Sequence, residues 1–271
     1  MPKSRPTPAV SLAQQSFLEE RKRRRHWIMT GRVLLFLLFL LLWEAAARAH
    51  LIDAFIFSSP SRVCTTFYQM LLDRSIFLHI GSTLWETLLS FLLVILLSLL
   101  IAVLLWLCPS LSQVLDPYLV ILNSLPKSAL APLLIVWLGA NQKTIVVAGM
   151  SVAIFGSILT IFNGFSQVDP EKIKLIYTLQ GNRMDVLRRV VLPSSIPTFL
   201  NTMKVNIGLC LVGVVIGEFI GSRQGLGYLI IYGSQVFKLD WVIMSIALLC
   251  VMALLLYSLI HVLEKYCLRY L

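Results

Sequence analysis

Charged side chains are scarce in this chain. Lys, Arg, Asp and Glu make up only 13% of its 271 residues, against roughly 25% in a typical soluble domain. Apolar residues make up 58%, which is more than a buried core of this size requires. These proportions exclude a water-soluble enzyme.

The sequence also lacks the patterns of cysteine- and histidine-based chemistry. Its five cysteines show no CxxC spacing and lie mostly in apolar runs, where Cys behaves as a small hydrophobic residue. Its four histidines are scattered, and no Ser/His/Asp arrangement or pair of carboxylates with a shared site is evident. We therefore expect no disulfide, no metal site and no catalytic residue.

Long apolar runs are what the sequence has instead. A membrane-spanning helix needs about 20 mostly apolar residues. Six segments meet this requirement: Val33–Ala47, Thr87–Cys108, Leu119–Leu138, Thr144–Val168, Phe199–Ile220 and Trp241–Val262. The sequence thus predicts an all-α polytopic membrane protein with six transmembrane helices, the third of them kinked between Pro126 and Pro132.

The net charge of +10 sets the orientation of these helices. With the N-terminus in the cytoplasm, most Lys and Arg residues fall on the cytoplasmic side, as the positive-inside rule requires. The cluster Arg21–Arg25 is then a basic cytoplasmic arm beside the membrane lipids, and not a nucleic-acid site. We expect an arm over residues 1–30, one transmembrane domain over 31–271, and both termini in the cytoplasm.

The loops between the spans are unequal in length. On the external side, residues 50–81 can hold a short surface helix that starts at Ser58-Ser59-Pro60-Ser61, and Gly221–Asp240 forms a second long loop. On the cytoplasmic side only one connection is large, at about residues 167–197. It lies between the fourth and fifth spans.

The cytoplasmic connection is predicted to contain two short amphipathic helices. Asp169 is a good N-cap, and Pro170 and Glu171 suit the first helical turn. Gly181 can take a positive φ and so end the first helix. Two apolar stripes recur at helical spacing, and Pro193 and Pro197 are expected to end the second helix; the stripes are Ile173, Ile176 (or Leu175) and Leu179, then Met184, Leu187 and Val190.

From its residues alone, this connection has two interpretations. Its arginines could hold an amphipathic helix in the headgroup layer of anionic lipid. Its apolar stripes could instead dock into the groove of a partner protein.

The connection resembles the coupling loop, or EAA motif, of binding-protein-dependent ABC importer permeases of the nitrate/sulfonate/taurine-type branch. When it is aligned on Leu192-Pro193, the family glycine falls on Gln180 and the E-A-A triplet on Lys174-Leu175-Ile176. Those signature letters are absent here, but Thr178-Leu179, Arg188-Arg189 and Val190–Pro193 fit the pattern well.

The resemblance extends over about residues 30–265. The matching segments are Ser58–Ser61, Leu125-Pro126 through Ala131-Pro132, Trp137-Leu138-Gly139, Gly217-Glu218-Phe219 and Gly225–Tyr228. Each is weak alone, but their order against six spans is specific. The resemblance implies a type I importer (MetI-like) permease fold in a bacterial plasma (inner) membrane.

The same resemblance implies partners and a function. Such a permease forms the pathway for a small solute of the nitrate, sulfonate, taurine or thiamine-precursor type. Its expected partners are two ATPase subunits, a second permease subunit in a homodimer, and a periplasmic or lipid-anchored substrate-binding protein. No cofactor is expected in this chain, because ATP and Mg belong to the partner ATPase. A self-sufficient secondary transporter or channel is the alternative.

The resemblance also implies a set of site residues in the loop. The expected ATPase-coupling residues are Lys174, Leu175, Ile176, Leu179, Gln180, Gly181, Asn182, Leu187 and Pro193. The segment Gly139–Thr144 looks superficially like a phosphate-binding loop, but it lacks the second glycine and follows no strand.

Ionisable residues inside the spans are candidates for the pathway, because burying a charge in the membrane is costly. Glu218, Lys127 and Lys204 are the candidate pathway or gate residues, with a structural role as the alternative for Lys204. Glu44 and Glu86 lie near span ends and are expected to reach the headgroups.

The fifth span is also predicted to have one face without bulky side chains. Gly213, Gly217 and Gly221 recur every four residues and allow another helix to approach closely. That partner helix lies either within the same subunit or across a dimer axis.

Overall fold

The structure is a computed structural model that describes residues 12–268. Within these residues every regular element is helical, as predicted. The helices are α1 (Leu12–Arg48), α2 (Ala54–Phe57), α3 (Pro60–Leu72), α4 (Ser75–Leu107), α5 (Pro109–Ser124), α6 (Lys127–Leu138), α7 (Gln142–Ser166), α8 (Pro170–Thr178), α9 (Arg183–Val186), α10 (Leu192–Gly221), α11 (Leu226–Gln235) and α12 (Leu239–Leu268). A π-helical turn, Leu187–Val191, joins α9 to α10.

Five helical segments among the described residues are long and apolar enough to cross a membrane. They are His26–Arg48, Ser75–Leu107, Gln142–Ser166, Arg183–Gly221 and Leu239–Cys267. The pair α5 and α6 supplies a sixth if it counts as one span. The predicted number of six spans is therefore confirmed only if this pair is counted as one span. The predicted loop Gly221–Asp240 contains an additional helix, α11.

The third predicted span is not one helix. The axes of α5 and α6 differ by 97°, because Pro126 has no N–H group and Leu125 before it is extended, with φ −61° and ψ 138°. Lys127 Nζ donates to the carbonyl oxygen of Leu122 in the last turn of α5. The kink predicted in the span over Leu119–Leu138 is therefore present, as a break at Pro126 between two helices.

The described residues up to Arg62 form one compact unit. The described part of the predicted basic arm is helical, since α1 includes Leu12 and runs without a break to Arg48; residues 1–11 lie outside the described residues. We expected Glu44 to reach the lipid headgroups, but its carboxylate is bound by groups of the chain. It accepts hydrogen bonds from Arg48 Nε at 2.7 Å and from the Ser61 N–H at 3.1 Å, and the second of these anchors the start of α3.

The described residues from Val63 onward form a second compact unit. In it, α4, α7 and α10 pack against one another. Ser90 Oγ on α4 lies 3.0 Å from Val146 O on α7, and Ser157 Oγ on α7 donates to Asn206 Oδ1 on α10 at 2.8 Å. Small and polar residues commonly hold helices together in a membrane, because lipid provides no other partner for them.

The fifth predicted span begins earlier than expected. Pro193 and Pro197 do not end the preceding helix, because Arg183–Gly221 is one helical segment of 39 residues. A proline inside an α-helix lacks an N–H group and clashes with the carbonyl four residues earlier. The π turn just before Pro193, in which the Leu192 N–H donates to Leu187 O, widens the helix there and lets it continue.

The predicted glycine face packs inside the chain. A Cβ atom on Gly213 would lie 2.8 Å from both Ala148 O and Gly149 Cα, and one on Gly217 would lie 3.1 Å from Ile145 Cα. Gly221 faces Ile135 on α6. Of the two alternatives for this face, the contacts are those of packing within one subunit.

We predict that Gly213→Ala destabilises the protein, whereas Gly208→Ala on the same helix does not. The methyl group that Gly213→Ala adds would push against the α7 backbone, at a cost of about 1–3 kcal/mol in the free energy of unfolding. Nothing lies within 4 Å of a Cβ on Gly208, and there alanine improves helix propensity by up to about 1 kcal/mol. Thermal unfolding in detergent measures both, and equal effects of the two substitutions would contradict the packing described.

Candidate functional site

The predicted start of the long connection between the fourth and fifth spans is confirmed. Asp169 Oδ1 accepts a hydrogen bond from the Glu171 N–H at 2.9 Å, so Asp169 is the N-cap of α8. Pro170 occupies the first helical position, where its missing N–H costs nothing.

The end of α8 differs from the prediction. Gln180, and not Gly181, takes the left-handed conformation, with φ 60°. The Gly181 N–H donates to Ile176 O at 2.9 Å and the Gln180 N–H to Tyr177 O at 3.0 Å, which is the Schellman pattern. Gly181 is needed for a different reason: a Cβ there would lie 2.5 Å from Ile176 Cγ2. Gln180 therefore occupies the position at which the coupling-loop pattern has glycine.

The helix α9 begins with a capping box that was not predicted from the sequence. Asn182 Oδ1 accepts from the Asp185 N–H, and Asp185 Oδ2 accepts from the Asn182 N–H, both at 2.9 Å. An Asn three residues before an acidic residue was the signal that could have shown it. The helix does not stop at a proline but leads directly into the π turn and α10.

The connection has an inner and an outer apolar surface. On the inner surface Ile173, Ile176, Val186 and Leu187 pack in a cluster with residues of α4 and α7. On the outer surface Leu175 is 59% exposed and Leu179 is 70% exposed. The predicted coupling residues thus divide: Ile176 and Leu187 point inward, and Lys174, Leu175, Leu179, Gln180, Asn182 and Pro193 are exposed.

Arg183 ties the connection to the C-terminal end of α4. Its Nη2 atom donates to Trp106 O at 2.6 Å, and its guanidinium lies 5.2 Å from the centroid of the Trp106 ring. Trp106 is in the last turn of α4, where backbone carbonyls have no partner within the helix and a cation is favoured.

The two lysines considered for the pathway are engaged by other groups of the chain. Lys204 on α10 forms an ion pair with Glu264 on α12. Besides its bond to Leu122 O, Lys127 Nζ lies 5.2 Å from the centroid of the Phe155 ring. These contacts favour a structural role for both.

Glu218 is completely buried near the end of α10. Each of its carboxylate oxygens accepts a short hydrogen bond: Oε1 from Thr83 Oγ1 on α4 and Oε2 from the Gly227 N–H in the first turn of α11, both at 2.6 Å. Glu218 therefore joins three helices.

Two neighbouring N–H groups at the start of α11 are also bound by side chains of α4. The Leu226 N–H donates to Thr83 Oγ1 at 2.8 Å, and the Gly225 N–H donates to His79 Nδ1 at 3.1 Å. With Gly227, three successive N–H groups that the helix itself cannot satisfy are thereby capped.

The Glu218 carboxylate leaves no room for a side chain at either glycine of Gly225-Leu226-Gly227. Gly225 has φ 108°, and a Cβ on it would overlap the Glu218 carboxyl group. A Cβ on Gly227 would lie 2.7 Å from Glu218 Oε2. The Gly217-Glu218-Phe219 and Gly225–Tyr228 motifs, which are separate in the sequence, form one cluster.

Glu86 does not reach the headgroups as expected, because it is only 1% exposed. Its Oε1 accepts a hydrogen bond from Ser82 Oγ at 3.4 Å. Glu86 also lines a polar cavity of about 500 Å³ together with Asn141, Gln142 and Arg223.

The chain matches a family model described as "Binding-protein-dependent transport system inner membrane component" over residues 94–266, more than half of its length. The chain belongs to this family. The matched range contains the α8–α9 connection, α10 and α11.

Similarity to individual permeases is spread over nearly the whole chain. It is 30% identical to the riboflavin transport system permease protein RibX of Chloroflexus aurantiacus over 92% of both proteins. It is 23% identical to the taurine transport system permease protein TauC of Escherichia coli over 88% of this chain and 90% of TauC. The MetNI methionine ABC transporter shares the fold, with a TM-score of 0.60 at 18% identity over 73% of this chain and 97% of that chain.

We predict that Gln180→Gly stabilises the turn between α8 and α9, whereas Gly181→Ala weakens it. A residue with a Cβ pays about 1–2 kcal/mol to adopt the left-handed conformation, and glycine avoids this cost. Part of the gain is offset because glycine also increases the conformational entropy of the unfolded chain. Hydrogen exchange of the amides in residues 176–186 of the permease should slow about two- to fivefold in Gln180→Gly and accelerate in Gly181→Ala. The same direction of change in both variants would contradict this assignment.

Proposed function

We propose that this permease forms the solute pathway of an ATP-binding-cassette importer in the bacterial inner membrane, with both termini in the cytoplasm. The proposal includes a docking role for the α8–α9 connection, which we call the coupling segment (residues 169–191). Family membership supports the transport role, and the excess of Lys and Arg in the predicted cytoplasmic segments supports the orientation.

One observation carries the docking role. The coupling segment presents exposed apolar side chains, Leu175, Leu179 and Met184, while its inner surface is packed against α4 and α7. A short amphipathic helix with an exposed apolar stripe is a common ligand for a groove on a partner protein. Because the coupling segment leads into α10 without a break, a force applied to it reaches the spans directly.

The partners follow from this role. We propose two ATPase subunits, which bind ATP and Mg and dock on the two coupling segments of a permease homodimer. We also propose an external binding protein, periplasmic or lipid-anchored, that delivers the solute. In this proposal the chain itself supplies no nucleotide site. The segment Gly139–Thr144, which superficially resembles a phosphate-binding loop, is the turn in which Asn141 caps α7.

The solute is proposed to be a small molecule of the nitrate, sulfonate, taurine or thiamine-precursor type. RibX is a riboflavin permease and TauC a taurine permease, so similar permeases serve chemically different solutes. Binding measurements on the cognate external protein with these solutes identify the cargo.

The experiment that tests the function is uptake into proteoliposomes that contain the permease, its ATPase and the external binding protein. Uptake that requires ATP and all three components is expected. Uptake by the permease alone without ATP would contradict the proposal and favour a self-sufficient secondary transporter or channel.

We predict that Leu179→Asp disrupts binding of the ATPase. Placing a carboxylate in an apolar groove should cost about 2–3 kcal/mol, or roughly a hundredfold in the dissociation constant. Co-purification and titration of the ATPase measure the loss. Phe237→Asp is the matched control, since Phe237 is equally exposed, at 66%, but lies between α11 and α12; equal losses in both variants would contradict the docking surface.

We predict that Arg183→Met leaves ATPase binding intact but lowers the amount of solute transported per ATP hydrolysed. The substitution removes the bond to Trp106 O, so the coupling segment loses its polar link to α4. The control is Arg188→Met, because Arg188 is exposed and makes no hydrogen bond or ion pair with other described residues. An unchanged transport ratio in Arg183→Met would show that Arg183 does not transmit motion.

A further inference from the structure

The polar cavity beside Glu86 lies where α4, α7 and α10 meet. Its walls come from the N-terminal half of α4, the start of α7 and the loop after α10, and its volume is about 500 Å³. Small-molecule sites usually have volumes of about 300–1,000 Å³. In the orientation proposed above, all three parts of the wall are external, on the side from which a binding protein delivers the solute.

One residue of the cavity wall has a hydrogen-bonding atom without a partner. Glu86 is 1% exposed, and its Oε1 accepts from Ser82 Oγ at 3.4 Å. Its Oε2 is buried and has no hydrogen-bond partner among the described residues. An ionised carboxylate only accepts hydrogen bonds, and burying one of its oxygens without a donor is costly. A group that completes this site therefore has to be a donor.

Asn141, another residue of the wall, is engaged elsewhere. Its Oδ1 accepts from the Thr144 N–H at 3.2 Å, and its Nδ2 donates to Leu138 O at 2.6 Å. Turning this amide toward Glu86 would remove the N-cap of α7. Because Ser82 already donates to the other oxygen of Glu86, neither residue supplies the donor that Oε2 lacks.

Arg223 gives the cavity a positive charge that is separate from Glu86. It lies in the loop after α10, which the Ser222 hydroxyl holds by donating to Gln224 O at 2.6 Å and accepting from the Gln224 N–H at 3.1 Å. Arg223 is exposed and forms no ion pair with Glu86 in the part of the chain that the structure describes. The cavity thus offers a carboxylate and a guanidinium to two different groups of one solute.

We propose that this cavity binds the solute through an amino group that donates to Glu86. The inference rests on the proposed function and narrows it. Taurine and thiamine precursors with an aminopyrimidine ring carry an N–H donor, whereas nitrate and simple alkanesulfonates carry only acceptors. An anion without a donor would also be repelled by the carboxylate, so the site selects against such solutes.

Arg223 distinguishes the two kinds of amino solute. A guanidinium binds an oxyanion through parallel hydrogen bonds, so taurine would use Arg223 for its sulfonate and Glu86 for its ammonium group. An aminopyrimidine has no anionic group and would use Glu86 alone. Loss of the Arg223 charge should therefore weaken the binding of taurine only.

Ligand titrations of the purified permease in nanodiscs, followed by saturation-transfer NMR, test the proposal. Each amino compound is compared with its analogue without the amino group: taurine with ethanesulfonate, and 4-aminopyrimidine with pyrimidine. We expect at least one amino compound to bind about tenfold more tightly than its analogue, as one hydrogen bond to a charged group implies. Equal binding within both pairs would overturn the proposal, and the cavity would then hold water alone.

Glu86→Leu should remove the preference for the amino compound, because leucine has a similar volume but no acceptor. Asp73→Leu is the matched control, since Asp73 is an exposed acidic residue just before the same helix and does not line the cavity. A preference that survives in Glu86→Leu would overturn the proposal. The comparison of ligands on the wild-type protein decides the question even if this variant does not fold.

Arg223→Gln identifies the kind of solute. It should lower the affinity for taurine and leave that for 4-aminopyrimidine unchanged. Lys143→Gln is the control, because Lys143 is exposed beside the cavity but does not line it. If a preference for amino compounds is found only in Arg223→Gln, then Arg223 and not a solute is the partner of Glu86, and the proposal is wrong.

These measurements require neither ATP nor a partner protein. Failure of the uptake experiment described above would contradict the transport role and leave the binding result intact. Uptake by a permease that shows no preference for amino compounds would contradict only the inference about the cavity.

Discussion

The close backbone contact between α10 and α7 is the constraint on which the second unit depends. Gly213 and Gly217 bring the two backbones together where no side chain could fit, and Ser157 and Asn206 add a buried hydrogen bond between the same helices. Because α10 is held this closely, its two ends have fixed positions relative to α4 and α7. The coupling segment at one end and Glu218 at the other are therefore parts of one rigid element.

The continuity of that element depends on how its prolines are accommodated. The π turn Leu187–Val191 relieves the clash that Pro193 would cause in a regular α-helix. At Pro126 no such turn precedes the proline, and the chain bends by 97°. A proline thus lies within one span and at the break of another.

At both ends of α10, most of the polar contacts described above involve backbone groups at the ends of neighbouring helices. At the N-terminal end, Arg183 binds a carbonyl in the last turn of α4, and Gln180 ends α8 at the position where the coupling-loop pattern has glycine. At the other end, side chains from α4 and α10 cap three N–H groups of α11. Inside a membrane, where water is not available to backbone groups, such caps decide how helices can be joined.

The sequence by itself determined the features that depend on local composition and order. Hydropathy located the spans, Asp169 and Pro170 marked the start of α8, and the spaced motifs identified the family, because each of these signals lies within a few neighbouring residues. Only the tertiary structure decided the roles of residues whose partners are distant in the chain. Lys204 meets Glu264, and Glu218 meets Thr83 and Gly227, only after the helices pack. A charge in an apolar run shows that a partner is needed, but packing alone determines which partner it finds.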